Sequence, residues 1–146
     1  MSVKIDPSLM KDLKAFGLKD ANKCMHCGNC TAVCPLSTPE NPFPRKLVKY
    51  AQMGLKDNIL KSPEPWLCYY CGDCSDTCPR GADPGETMMV MRRYLTSLYD
   101  WTGFSRKFYI SEKFEIAAIS IVAVLVGLAM WIFHGSNPNM EHAHLN

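Results

Sequence analysis

KCMHCGNCTAVCP (23–35) and WLCYYCGDCSDTCP (66–79) decide how this chain folds. Each contains the same run, Cys-x-x-Cys-x-x-Cys-x-x-x-Cys-Pro. The first comprises Cys24, Cys27, Cys30, Cys34 and Pro35, the second Cys68, Cys71, Cys74, Cys78 and Pro79, and together they use all 8 Cys of the chain. Three thiols spaced this closely in a looping turn can wrap three corners of a metal body. The fourth must approach from another direction, and the Pro after it ends local helix and turns the chain away. Gly28 and Gly72 occupy the same place in each run. A loop wrapped around a cluster needs backbone freedom there and N–H groups aimed at sulfur, although an ordinary turn asks for the same residue. Four disulfides would need an oxidising compartment, and no secretory leader is read at the N-terminus. Zinc sites pair two Cys-x-x-Cys knuckles rather than doubling this longer run.

The doubled run is the one that holds two cubane [4Fe–4S] clusters in two-cluster ferredoxins, where the fourth Cys of each run ligates the other cluster. That rule assigns Cys24, Cys27, Cys30 and Cys78 to one cluster, and Cys68, Cys71, Cys74 and Cys34 to the second. Crossed ligation of this kind would staple the two halves of a small domain together.

Outward from the runs, the chain reads as helices and tight loops, with no stretch that alternates as a long strand does. Asp6-Pro7 has the form of an N-cap followed by Pro at the first helical position, with Leu9, Leu13 and Phe16 on one face and Gly17 closing the helix. The connection between the runs opens with a Pro-rich segment, PENPFP (39–44). It continues as a helix from Arg45 to Met53 carrying Leu47, Val48 and Ala51, stops at Gly54 and breaks again at SPEP (62–65). Asp83-Pro84-Gly85-Glu86 combines a capping residue, an N1 proline and an N3 acid, predicting a helix from Pro84 to about Leu98 that buries Met88, Met91 and Leu95.

All 16 Lys and Arg lie at or before Lys113, and beyond it the only charges are Glu115 and Glu141. The net charge is only +2, which argues against a nucleic-acid binder. From Ile116 to Phe133 the sequence IAAISIVAVLVGLAMWIF has no charge. As a helix it spans roughly 27 Å, close to the hydrocarbon core of a bilayer. Ser120 can return its hydroxyl to a carbonyl one turn back, Gly127 is tolerated in membrane helices, and Trp131 and Phe108–Tyr109 fit interfacial anchoring. Arg106, Lys107 and Lys113 before the span, with none after it, place the N-terminal domain in the cytoplasm at a single-pass span of the inner membrane. The expected organisation is a 1–104 cluster domain, a 105–113 juxtamembrane segment lying along the headgroups or simply solvated, a 114–134 transmembrane helix, and a 135–146 extracytoplasmic tail. His134 could ligate haem in a bundle, but haem is not predicted within this chain. His142 and His144 in the tail carry no site.

Thirty-three residues separate Cys34 from Cys68. That helical insert points to a mainly α class, an α-helical ferredoxin domain with two [4Fe–4S] clusters and one C-terminal transmembrane helix. KCMHCGNCTAVCP (23–35), PRKLVKYAQMG (44–54), WLCYYCGDCSDTCPRGADPGE (66–86) and MRRYL (91–95) resemble the C subunit of heterodisulfide reductase. The likeness extends to the N-terminal part of the QmoC type, found in the quinone-interacting membrane-bound oxidoreductase. Related domains occur in the iron–sulfur subunits of succinate and fumarate reductases and of glycerol-3-phosphate and glycolate oxidation. The resemblance covers roughly residues 5–113. QmoC-like proteins continue into a multi-helix cytochrome b-like domain, whereas this sequence carries one span, so that half is either a separate subunit or outside this stretch. No cysteine motif like that of the substrate-reducing subunit is present.

The resemblance implies a membrane-anchored relay. It would pass electrons between a cytoplasmic flavin and iron–sulfur partner, like the A subunit of heterodisulfide reductases, and a membrane cytochrome b-like or quinone-binding subunit, with no catalytic substrate site of its own. Trp66, Tyr69 and Tyr70 could shield the second cluster or merely pack. Arg80, Arg92 and Arg93 could favour a reduced cluster or an acidic partner, or form a solvated face. Two other readings stay open: a structural anchor that recruits a soluble complex, and the iron–sulfur subunit of another dehydrogenase complex.

Overall fold

The computed structural model describes residues 4–135. Residues 1–3 and 136–146 lie outside it, and with them His142, His144 and nearly all of the 135–146 tail; so does the His134 side chain. The chain comprises two compact units, one up to Arg106 and one from Lys107 onward.

No strand occurs among the described residues of the first unit, which is built of short helices around one long one. The first helix, α1 (Leu9–Ala15), begins two residues later than Asp6-Pro7 implied. Asp6 Oδ1 accepts from the Ser8 backbone N–H (3.0 Å) and from Ser8 Oγ (2.7 Å), so the carboxylate closes an Asx turn ahead of the helix rather than capping it. Leu9, Leu13 and Phe16 are buried as their spacing predicts, and Phe16 meets Tyr94 edge-on at 5.7 Å between ring centroids. A 3₁₀ turn at Ala21–Lys23 leads into the first cysteine run, whose middle forms α2 (Asn29–Val33).

The connection folds as α3 (Arg45–Gln52) and α4 (Lys56–Leu60). In α3, Leu47, Val48 and Ala51 are buried, as the pattern requires. The SPEP segment departs from expectation. It does not simply break the chain, because α5 (Glu64–Leu67) starts inside it, with Pro65 in the first turn where a missing N–H costs nothing. The second run carries α6 (Asp73–Asp76), and α7 (Pro84–Tyr99) follows with the predicted cap: Asp83 Oδ1 accepts from the Glu86 N–H at 3.2 Å.

The core is one cluster in which α7 packs on α1, α3, α5 and α6. Leu9, Leu13, Leu47, Met88, Met91 and Leu95 are wholly buried, each contributing about 1.5–3 kcal/mol relative to exposure. Lys46 ties α3 to α5. Its Nζ donates to Glu64 Oε1 and to Asn41 Oδ1, both at 2.7 Å, which pairs one oxygen of a carboxylate that is only 8 % exposed, while Glu64 Oε2 is buried without a hydrogen-bond partner among the described residues. Packing of α2 against α6 brings the two cysteine runs face to face.

Past α7, Asp100 Oδ1 accepts from the Thr102 hydroxyl and the Thr102 N–H, at 2.5 and 2.9 Å, and Oδ2 from the Ser105 N–H at 2.6 Å. These bonds hold its carboxyl well below the usual carboxylate range. There α8 (Phe104–Ile110) begins. Ser111 separates it from α9 (Glu112–Gly135), so the 105–113 segment is a short helix and the start of the long one. The span itself is one continuous helix. Glu112–Phe133 is long and apolar enough to cross a membrane, with mean hydropathy 2.7, and its most apolar window is not buried among the described residues. Ser120 Oγ donates to the Ile116 carbonyl at 2.8 Å, the anticipated way of satisfying a hydroxyl in an apolar helix.

Candidate metal centre

The two cysteine runs share their backbone conformation at three equivalent positions. Cys24 (φ −66°, ψ 122°) and Cys68 (φ −65°, ψ 120°) are both extended and end a helical turn. Two residues later the chain is left-handed at His26 and at Tyr70, both at φ 58°. It is left-handed again at Gly28 (φ 95°) and Gly72 (φ 94°), each the N-cap of the helix that carries the third cysteine. Both glycines are therefore required by backbone conformation, because a Cβ at such a φ is strained. His26 and Tyr70 show no comparable signal in the sequence. His visits this region with some ease, whereas a bulky Tyr does so only where its surroundings hold it there.

This backbone places the thiols in graded exposure. Cys30 and Cys74, inside their helices, are buried; Cys27 and Cys71 are exposed; Cys24, Cys34, Cys68 and Cys78 are intermediate. Burial pushes the Cys30 thiol above its ordinary pKa, and the neighbouring sulfurs of Cys24, Cys27 and Cys78 add to that push. Cys34 is raised by burial and by Cys68 and Cys71. Cys74 is pushed up to about 11, by burial and by Cys68, Cys30 and Cys71. Across the runs, Cys68 and Cys71 thus act on Cys34, Cys78 acts on Cys30, and Cys30 acts on Cys74. Cys34, Cys68, Cys71 and Cys74 line one pocket, walled by Pro35, Leu36, Phe43, Pro44, Tyr69 and Met88 among others.

Four thiols converging on an apolar pocket fit a cluster better than they fit empty space. Without a metal, the Cys30, Cys34 and Cys74 thiols, which burial raises, would stay protonated at neutral pH; with one, the cation supplies the charge that draws the protons off. No group of three or more His, Cys, Asp or Glu among the described residues is gathered as tightly as a single ion would need. A cubane spreads its four thiolates over the corners of a larger body and needs no such gathering. The Ala82 N–H donates to Cys78 Sγ at 3.4 Å, the kind of backbone bond that stabilises thiolate charge.

Each run is also clasped from behind, which the sequence did not foretell. Gln52 Nε2, on α3, donates to the carbonyls of Ala21 (2.8 Å) and Cys24 (3.3 Å). Its Oε1 faces His26 Nε2 at 2.6 Å, so the imidazole donates through that nitrogen. Arg92, on α7, donates to the carbonyls of Pro65, Trp66 and Cys68. Arg92 is thus no part of a solvated face, a correction to that reading; Arg93 pairs with Glu86 at 3.1 Å, and Arg80 is exposed. Tyr69 and Tyr70 line the second pocket while remaining half or more exposed, and the Tyr70 hydroxyl donates to Glu86 Oε2 at 3.3 Å. Trp66, 48 % exposed, is not among the lining residues.

Residues 20–82 match the family model of the 4Fe-4S dicluster domain. Three relatives are proteins named for heterodisulfide reductase. A protein of Archaeoglobus profundus, named as like the C subunit of heterodisulfide reductase, is 34 % identical over 97 residues, 66 % of this chain and 52 % of that protein. The C subunit of the H2:CoB-CoM heterodisulfide,ferredoxin reductase of Methanothermobacter thermautotrophicus is 38 % identical over 65 residues, 44 % and 35 % of the two chains. The C subunit of the ferredoxin:CoB-CoM heterodisulfide reductase of Methanosarcina mazei is 36 % identical over 85 residues, 58 % and 52 %. The chain spans about half the length, or less, of these relatives. No solved structure gives a significant match. The doubled cysteine runs are thus similar to a 4Fe-4S dicluster domain, and over part of its length the chain is similar to C subunits of heterodisulfide reductases.

Proposed function

We propose that this chain is the membrane-anchored relay of a QmoC-type complex, holding two [4Fe–4S] clusters. It would join a cytoplasmic flavin and iron–sulfur subunit, like the A subunit of heterodisulfide reductases, to a quinone-linked membrane subunit. The observation that carries the reading is the pocket lined by Cys34 with Cys68, Cys71 and Cys74, in which the fourth cysteine of one run joins the first three of the other. In this reading Cys24, Cys27, Cys30 and Cys78 hold the first cluster, and Cys68, Cys71, Cys74 and Cys34 the second.

When bound, such clusters supply one-electron transfer, and no substrate bond is made or broken. The chain's own part is to hold, insulate and tune. Cys30 and Cys74 are both buried, and the influence of Cys30 on Cys74 supports a short path from one centre to the other. Phe43, Leu36 and Met88 exclude water from the second pocket. The exposed Cys27 and Cys71 loops are the faces at which partners could approach within electron-transfer range. Helix α9 would anchor the domain, and the basic residues ahead of it favour a cytoplasmic position for the clusters.

The test is iron and sulfide analysis with EPR on detergent-solubilised, anaerobically purified protein, before and after reduction. About eight iron and eight sulfide per chain, with interacting signals on reduction, is the expected result. Zinc, or metal that no reductant changes, would overturn the relay in favour of a structural anchor. Co-purification of a different flavoprotein dehydrogenase would overturn the assigned partners while leaving the relay in place.

A further inference from the structure

The clasps behind the two runs act on equivalent atoms. Gln52 holds the carbonyl of the first cysteine of its run, Cys24, and the carbonyl three residues before it, Ala21. Arg92 holds the carbonyl of Cys68 and the one three residues before that, Pro65. The clasping side chains come from different helices and are chemically unlike: one is a neutral amide, the other a permanent cation. Both are partly buried, so neither is free to sample other geometries as a surface side chain would. Arg92 also takes the Trp66 carbonyl at 3.2 Å, closing a three-carbonyl grip on α5 and the entry to the second run. The first run has a cation nearby too, with Arg45 Nη1 3.5 Å from the His26 carbonyl, but its clasp itself carries no charge.

We infer that Gln52 and Arg92 are matched positioning residues, one for each cluster loop, and that the Arg92 charge raises the reduction potential of the second cluster alone. The inference rests on the reading of the runs as two cluster sites. Reduction adds negative charge to a cluster. A guanidinium bonded to the peptide carbonyl of a ligating cysteine stabilises the reduced form more than the oxidised one, and its partial burial limits screening by solvent. An amide in the same position fixes the loop and adds only a dipole. The protein thereby sets the potential of one centre without altering the cysteine motif that both share.

The test is a redox titration followed by EPR on the full-length, cluster-loaded protein and on Arg92→Gln, Arg92→Lys and Gln52→Arg. Iron content is measured on every sample, and Cys27→Ser and Cys71→Ser assign the two signals. Arg92→Gln should lower the midpoint of the second cluster by about tenfold in the reduced-to-oxidised ratio, about 59 mV for one electron, and leave the first unmoved. Arg92→Lys should keep most of the potential, and Gln52→Arg should raise the first cluster. Loss of the second cluster's iron from Arg92→Gln but not from Arg92→Lys would support the positioning role, and Gln52→Arg would then carry the electrostatic one. Full iron with both midpoints unchanged in Arg92→Gln and Gln52→Arg would overturn the inference and leave the relay standing. Equal shifts of both clusters would overturn it as well. Wild-type protein without iron and sulfide would overturn the relay and this inference together.

Discussion

At the scale of single residues, the chemistry is concentrated in thiols whose burial differs by position in the run. Cys71 is exposed at the tip of its loop while Cys74 is buried beneath it, yet both line the same pocket. Replacing Cys71 by Ser should remove one reduced-cluster signal in EPR and leave the other, with the protein still folded by circular dichroism; an unchanged spectrum would contradict the ligand assignment. The cysteines, their grouping into two runs, and the glycines that turn each loop were legible from spacing alone. The left-handed conformations at His26 and Tyr70 were not, because neither residue type demands that conformation and only the wrapped loop imposes it.

At the scale of elements, each cysteine run depends on the helix that follows or backs it. Asp83 joins the second run to α7: besides capping the Glu86 N–H, its carboxylate accepts from Ser75 Oγ at 2.5 Å, and that hydroxyl in turn accepts from the Gly85 N–H. Its backbone is left-handed, at φ 45°. Asp83→Ala should cost about 0.5–2 kcal/mol from the cap alone, more with the strain of Ala at that φ, and lower Tm by several degrees. Asp83→Asn should recover most of the loss, since Asn caps and tolerates the conformation; an Asn variant as damaged as Ala would remove the cap from the explanation. The start and end of α7 were readable because capping chemistry is local. α4 and α5 were not anticipated, since helices this short have too little periodicity to register and form only where packing on α3 and α7 holds them.

At the scale of the whole molecule, two features tie local chemistry to stability and location. Burial raises the Glu64 carboxyl, but the Lys46 hydrogen bond and charge outweigh it, so its folded pKa lies below the ordinary 4.5. A group depressed in this way contributes stability that is fully present above about 4.5 and is lost as pH falls through the lower folded value. Denaturant unfolding of the wild-type protein should therefore show an acid-side loss in that window, and Glu64→Gln should flatten it; identical pH profiles for the two would remove the pair as its cause. The second feature is α9, an apolar helix long enough to cross a membrane. In cells, the protein should stay with the membrane fraction through alkaline carbonate and leave it only with detergent. Val124→Lys should reduce insertion, a central Lys costing about 2.5–3.5 kcal/mol on insertion scales, and release of wild-type protein by carbonate would argue against a spanning helix.

The sequence by itself determined the two loops, the helices with caps or strong periodicity, and the single long apolar helix. Each of these is specified by neighbours a few residues apart, through backbone preference, capping and side-chain period. Only the tertiary structure decided that Lys46 answers Glu64, and that Gln52 and Arg92 reach back to grip the cluster loops. Those contacts join residues 18 to 31 positions apart in the chain. Such pairings depend on how α3 and α7 pack, and no local pattern encodes the direction in which a long polar side chain will find its carbonyl.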